Sequence, residues 1–186
     1  LLNKFMAQLL LPNNKKSEYF MDLIGSQTIA ASKDIVWHAI LSPEVLKACV
    51  PGCTELAGSP EEGFEATVVQ KVGPVKATFK GTVTLSNMVS QTSLTLTGAG
   101  KGGAAGFAKG GAKVHLETEG DNTVLHYNVE AKVGGKLALL GSRIIDSFAK
   151  KMADQFFENL QTQIEGPTAS EDNETAKKGW FKKLVS

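Results

Sequence analysis

Hydrophobic and polar positions follow two different periods along this chain, and the change of period divides it. From Thr54 to Val133 the period is two. Phe64, Ala66, Val68, Gln70 and Val72 share one face. Val75, Ala77, Phe79, Gly81, Val83 and Leu85 alternate with Lys76, Thr78, Lys80, Thr82 and Thr84. Leu94, Leu96 and Gly98 oppose Ser93, Thr95 and Thr97, and Ala112, Val114 and Leu116 oppose Lys113, His115 and Glu117. Leu125, Tyr127, Val129, Ala131 and Val133 make the last such run. Alternation of this kind predicts half-solvated antiparallel strands. Gly73-Pro74, Ser90-Gln91 and Gly120-Asp121-Asn122 supply the turns between them.

From Lys136 to Glu165 the period becomes that of a helix. Leu140, Ile144, Phe148, Met152, Phe156, Leu160 and Ile164 recur at every fourth position, and Leu137, Ile145 and Phe157 widen the row into a stripe. The pattern predicts one helix about 40 Å long. At the other end, Asp22 to Ala31 reads as a first strand of mixed character. Ser32 then caps a short helix, Lys33 to Leu41, and Ser42-Pro43-Glu44 opens a second one. Val50-Pro51-Gly52 stops it. The order is strand, two short helices, six consecutive strands, long helix. It predicts an α+β fold in which a curved antiparallel sheet wraps around the long C-terminal helix.

The segment GAGKGGAAGFAKGG, Gly98 to Gly111, invites comparison with a phosphate-binding loop. Its glycine spacing fits, but Ala104-Ala105 and Ala112-Lys113 stand where Lys-[Ser/Thr] is needed, and strands flank both copies. The better reading is that Gly and Ala let a curved hairpin bend, or let backbone approach a ligand or partner protein.

Composition narrows the picture further. At 186 residues the chain suits one domain with short appendages. A formal net charge of +1 lacks the basic excess of a nucleic-acid-binding surface. Cys49 and Cys53 are unaccompanied by paired histidines, so no metal site is predicted, and so few cysteines suit a reducing compartment. By parity His115 and His126 lie on polar strand faces, and His38 sits beside Trp37 in the first short helix. Cys53 has no histidine in its segment to activate it, and no catalytic residues emerge.

No run of eighteen apolar residues predicts a membrane-spanning helix. Residues 1–20 read as an extension outside the core, because the apolar run Leu9–Leu11 ends at Pro12 with no cleavage-type site after it. The alternative is a short amphipathic helix packing on a partner. The core domain is expected over residues 21–166, followed by a polar linker over 167–175. In the closing peptide, 176–186, Trp180, Phe181, Leu184 and Val185 fall on one side of a helix. Lys177, Lys178, Lys182 and Lys183 supply the other, a pattern that suits reversible attachment to an anionic membrane surface.

Three stretches carry a family resemblance: SQTIAASKDIVWHAILSPEVLKACVPGC, KVGPVKATFKG and GSRIIDSFAKKMADQFFENL. In this order they resemble the carbon monoxide dehydrogenase family CoxG, within the START-like, helix-grip superfamily of polyketide cyclases and aromatic-ligand carriers. The resemblance covers Met21 to about Glu165. It implies a hydrophobic cavity between sheet and helix, and a non-enzymatic role beside a molybdenum hydroxylase of the CO dehydrogenase type. It further implies recruitment of that enzyme to the inner face of the cytoplasmic membrane and a link to the respiratory quinone pool. The implied ligand is a long apolar quinone such as menaquinone, with no covalent cofactor.

Given such a cavity, the apolar faces nominate Phe79, Val83, Leu94, Leu96, Phe107, Leu116, Tyr127, Leu140, Ile144 and Phe148 as its lining. Tyr127 has the polar group that can meet a quinone oxygen. Plain core packing is the competing expectation for each. Two other functions fit the same pattern: an enzyme of the polyketide cyclase type, which needs a polar cluster inside the cavity, and a protein-only assembly factor, which needs a filled core.

Overall fold

The computed structural model describes residues 18–166. The element order is β1 (Glu18–Ile29), α1 (Lys33–Leu41), α2 (Pro43–Cys49), β2 (Cys53–Ser59), β3 (Gly63–Val72), β4 (Val75–Val89), β5 (Ser93–Lys101), β6 (Phe107–Glu119), β7 (Asn122–Gly134) and α3 (Ser142–Glu165). Single 3₁₀ turns at Gly103–Ala105 and Ala138–Leu140 precede β6 and α3. All seven strands form one antiparallel sheet in the order β1-β7-β6-β5-β4-β3-β2. The arrangement is the expected helix-grip fold. Local chemistry sets the turns: Val72 pairs with Val75 around Gly73, whose φ of +55° a side chain would resist.

Three boundaries differ from the sequence expectation. β1 begins at Glu18, so residues 18–20 belong to the sheet and pair with Lys132–Gly134 of β7. Residues 1–17 and 167–186, which hold the rest of the extension, the linker and the basic aromatic tail, lie outside the described residues. The long helix begins at Ser142 rather than Lys136, because Gly141 takes φ +83° and breaks the helical run. Leu140 is therefore in the 3₁₀ turn. The glycine-rich segment also keeps more ladder than expected: β5 and β6 run through it, and only Gly102–Gly106 leaves the pairing.

The core has two parts. The larger joins Ile29, Val36, Ala39, Val45, Cys49, Leu94, Leu116, Leu125, Leu160 and Ile164, with Phe156 and Phe157 packed against it. The smaller joins Val72, Val133, Leu137 and Ile145, with Tyr19, Phe79, Ala108, Leu140 and Phe148 around it. The two halves of α3 thus serve different clusters. Polar bonds fix the helix at both ends. The Tyr19 hydroxyl donates to the Asp146 carboxylate at 2.8 Å, and Gln161 Oε1 accepts from the Ala30 N–H at 3.1 Å. Asn159 Nδ2 donates to the Cys49 carbonyl at 3.0 Å, tying α3 to α2.

Candidate functional site

Between the two clusters lies a pocket of about 390 Å³ on the inner face of the sheet. Strand register explains it. One row across the sheet runs Val83–Gly98–Gly110–Ala131, and its neighbour runs Gly81–Gly100–Ala108–Val133. Buried Leu94 and Leu116 fix which parity faces inward on β5 and β6, and Gly98, Gly100, Ala108, Gly110 and Ala112 share it. Positions that elsewhere send leucine into the core here send a hydrogen atom or a methyl group, so the interior stays open.

None of Gly81, Gly98, Gly100 or Gly110 has positive φ. Their role is the missing side chain, not backbone freedom. A Cβ on Gly81 would stand 2.7 Å from the Ala99 carbonyl oxygen, and one on Gly110 would collide with the Glu130 carbonyl. The same glycines therefore allow close strand contact and leave the pocket floor bare.

Every inward-facing side chain around the pocket is apolar. Ala66, Val68, Phe79, Val83, Leu96, Ala112 and Val129 complete the wall. Leu96 borders it from the larger cluster, Phe79 and Ala108 from the smaller. The volume falls within the range of roughly 300–1,000 Å³ usual for small-molecule sites.

The ten nominated residues divide accordingly. Phe79, Val83 and Leu96 line the pocket. Leu94, Leu116 and Tyr127 belong to the larger cluster, and Leu140 and Phe148 to the smaller. Tyr127 stacks on Phe157 with ring centroids 5.2 Å apart, and its hydroxyl lies over Gly25, where a Cβ would overlap it. Two placements correct the sequence expectation. Phe107 has the opposite parity to Ala108 and lies on the outer face, its ring over Gly134. Ile144 is 38% exposed, while its neighbour Ile145 is buried. A row of every-fourth residues drifts about 40° per step around a helix, which puts Ile144 about 160° from Leu160 and Ile145 only about 60°.

The residues that sequence reasoning missed are the small ones. Their signal was present in the shared parity of Gly98, Gly100, Gly110 and Ala112, but glycine and alanine register weakly in a search for apolar faces.

Ionisable chemistry lies elsewhere. His115 and His126 pair across β6 and β7 on the outer face, each near the Glu117 carboxylate, at 3.6 Å and 3.2 Å. His38 Nδ1 lies 2.8 Å from the Asp34 carbonyl oxygen. Burial pushes the Cys49 thiol up to about 11, and burial also raises that of Cys53. Among the described residues, no three His, Cys, Asp or Glu side chains are grouped to hold a metal ion, and no helix is long and apolar enough to cross a membrane. A second hollow of about 770 Å³ lies on the outer face, but Asp22, Thr82, Thr84, Thr97, Lys109, Glu130 and Lys132 make it polar and charged.

Comparison with known proteins bears on this geometry. The family model for the carbon monoxide dehydrogenase subunit CoxG matches residues 25–165. No curated protein matches the chain. Among solved structures, a conserved protein from Geobacillus kaustophilus is 26% identical, with a TM-score of 0.73 over 78% of this chain and 95% of its own. An uncharacterised protein from Rhizobium leguminosarum is 16% identical, with a TM-score of 0.63 over 81% of this chain and 97% of its own. Truncated norcoclaurine synthase from Thalictrum flavum is 15% identical, with a TM-score of 0.54 over 84% of this chain and 99% of its own. Such neighbours establish a START-like fold shared with at least one enzyme.

Proposed function

The chain belongs to the carbon monoxide dehydrogenase family CoxG, and from that premise we propose that it is a non-enzymatic accessory protein that carries a hydrophobic ligand for a molybdenum hydroxylase of the CO dehydrogenase type. The ligand we infer is an isoprenoid quinone such as menaquinone, and the service is electron transfer from the enzyme to the membrane quinone pool at the inner face of the cell membrane. One observation carries this reading: the pocket wall is Gly, Ala, Val, Leu and Phe, with no ionisable side chain on the inward parity. A wall of that kind gains free energy by covering apolar surface, about 25 cal/mol per Å² before ordering costs. It has nothing with which to move a proton. A protein-only assembly factor would have no use for the empty volume.

The pocket suits a ring system with the first part of a prenyl chain, the remainder passing outward. The experiment is organic extraction and mass spectrometry of the protein purified from its own source. The expected result is an isoprenoid quinone at close to one per chain. A preparation that yields none, and that takes up no menaquinone on incubation, overturns the proposal.

A further inference from the structure

Three connections meet at the end of the domain that holds the smaller core cluster. The Leu137 N–H donates to the Ala105 carbonyl at 3.0 Å, joining the β7–α3 connection to the β5–β6 connection. The Ile144 Cγ2 atom stands 3.4 Å from where a Cβ on Gly73 would be, joining the start of α3 to the β3–β4 turn. This end is apolar at its tip. Leu139 is 69% exposed, Ile144 is 38% exposed, and Pro74 is exposed beside them.

Its charge has one sign. Lys71, Lys76, Lys136 and Arg143 are all exposed, and none forms an ion pair among the described residues. Segments 71–76, 101–109 and 134–145 contain no Asp or Glu. The first acid beyond them on α3, Asp146, accepts the Tyr19 hydrogen bond. Within a chain of net charge +1, such a local excess is specific to this end.

We propose that this end is a docking surface for an anionic lipid bilayer, with Leu139 and Ile144 entering the head-group region and the four cations meeting lipid phosphates. Exposed aliphatic tips among unpaired cations match an acyl and anionic boundary. Three turn tips are a small contact, whereas a stable protein partner needs about 800 Å² of surface. The contact is separate from the C-terminal tail. Resting on the carrier reading above, it has a consequence: Leu137, Leu140, Ile145, Phe148 and Phe79 stand between the bilayer face and the pocket. A ligand exchanged with the membrane would pass that cluster.

The test needs no ligand, so its failure is distinct from failure of the carrier reading. In the full chain with Cys53→Ser, an environment-sensitive NBD label is placed at Leu139→Cys, or at Glu62→Cys at the opposite end of β3. Each is mixed with vesicles of 30 mol% phosphatidylglycerol in phosphatidylcholine. The expected result is a blue shift at position 139, none at position 62, and little binding to pure phosphatidylcholine. Lys76→Gln with Arg143→Gln should lower partitioning about 30-fold. Vesicle binding without a shift at 139 places the contact elsewhere on the chain and overturns the proposal. So does the absence of binding, or equal binding to neutral vesicles. A shift produced only by a soluble acidic protein assigns the patch to a protein partner and also overturns it.

Discussion

A Cβ added at Gly100 would meet its nearest neighbour, the Lys80 carbonyl oxygen, at 3.8 Å, which is ordinary contact. At Gly110 the same atom would meet Glu130 and Ala131 backbone, the latter's Cα at 2.7 Å. Both glycines face the pocket, yet they answer differently to a side chain. Gly100→Leu should fold, keep or raise the thermal midpoint, and retain less than a tenth of the bound ligand on extraction. Gly110→Ala should lose about 1–3 kcal/mol in urea unfolding through backbone overpacking. Cys49, fully buried beneath α3, gives a pH prediction. Its folded-state value of about 11 lies above the ordinary 9.0. Between those values the unfolded thiol ionises while the folded one keeps its proton. Stability is thus intact below pH 9 and falls as pH rises toward 11, by a contribution on the order of 2–3 kcal/mol. Urea midpoints at pH 8 and 10.5 should fall further in the parent than in Cys49→Ala. Equal slopes would refute the assignment.

At the scale of elements, α3 is the part whose attachments differ along its length. Its C-terminal half is held by Leu160 and Ile164 in the larger cluster and by the Asn159 and Gln161 bonds. Its first turns rest on Ile145, Phe148 and the Tyr19–Asp146 bond. That bond also raises the Tyr19 phenol above its ordinary value. Tyr19→Phe should speed amide hydrogen exchange over the first two turns of α3, leave its last three turns unchanged, and shorten ligand residence. Uniform protection along the helix would rule out the latch. The helix itself was legible in the sequence from its period. Its start was not, because Gly141 reads as one apolar-neutral residue among many until its positive φ is seen. Nor was the fate of Ile144, since an every-fourth row looks like one face over two turns but winds away over five.

For the whole molecule, the pocket, the basic end and the C-terminal tail form one proposed arrangement. Residues 176–186 lie outside the described part, and their contribution is separable by deletion. Removing them should move the protein from membrane to soluble fractions while leaving the extracted quinone content unchanged. An unaltered distribution would sink the tail anchor. The sequence by itself determined the strand order, the turns, the two short helices and the family, because each follows from local period, capping chemistry or motif. It also placed His115 and His126 outward, by parity alone. Only tertiary structure decided which apolar residues pack and which border space. Leu94 and Leu96 belong to one strand face, yet the first is sealed in the core and the second edges the pocket. The difference lies in cross-strand neighbours: Leu94 stands beside Val114, whereas Leu96 stands one row from Gly98 and Gly110. Empty volume is set by what adjacent strands fail to supply, and no single strand encodes it.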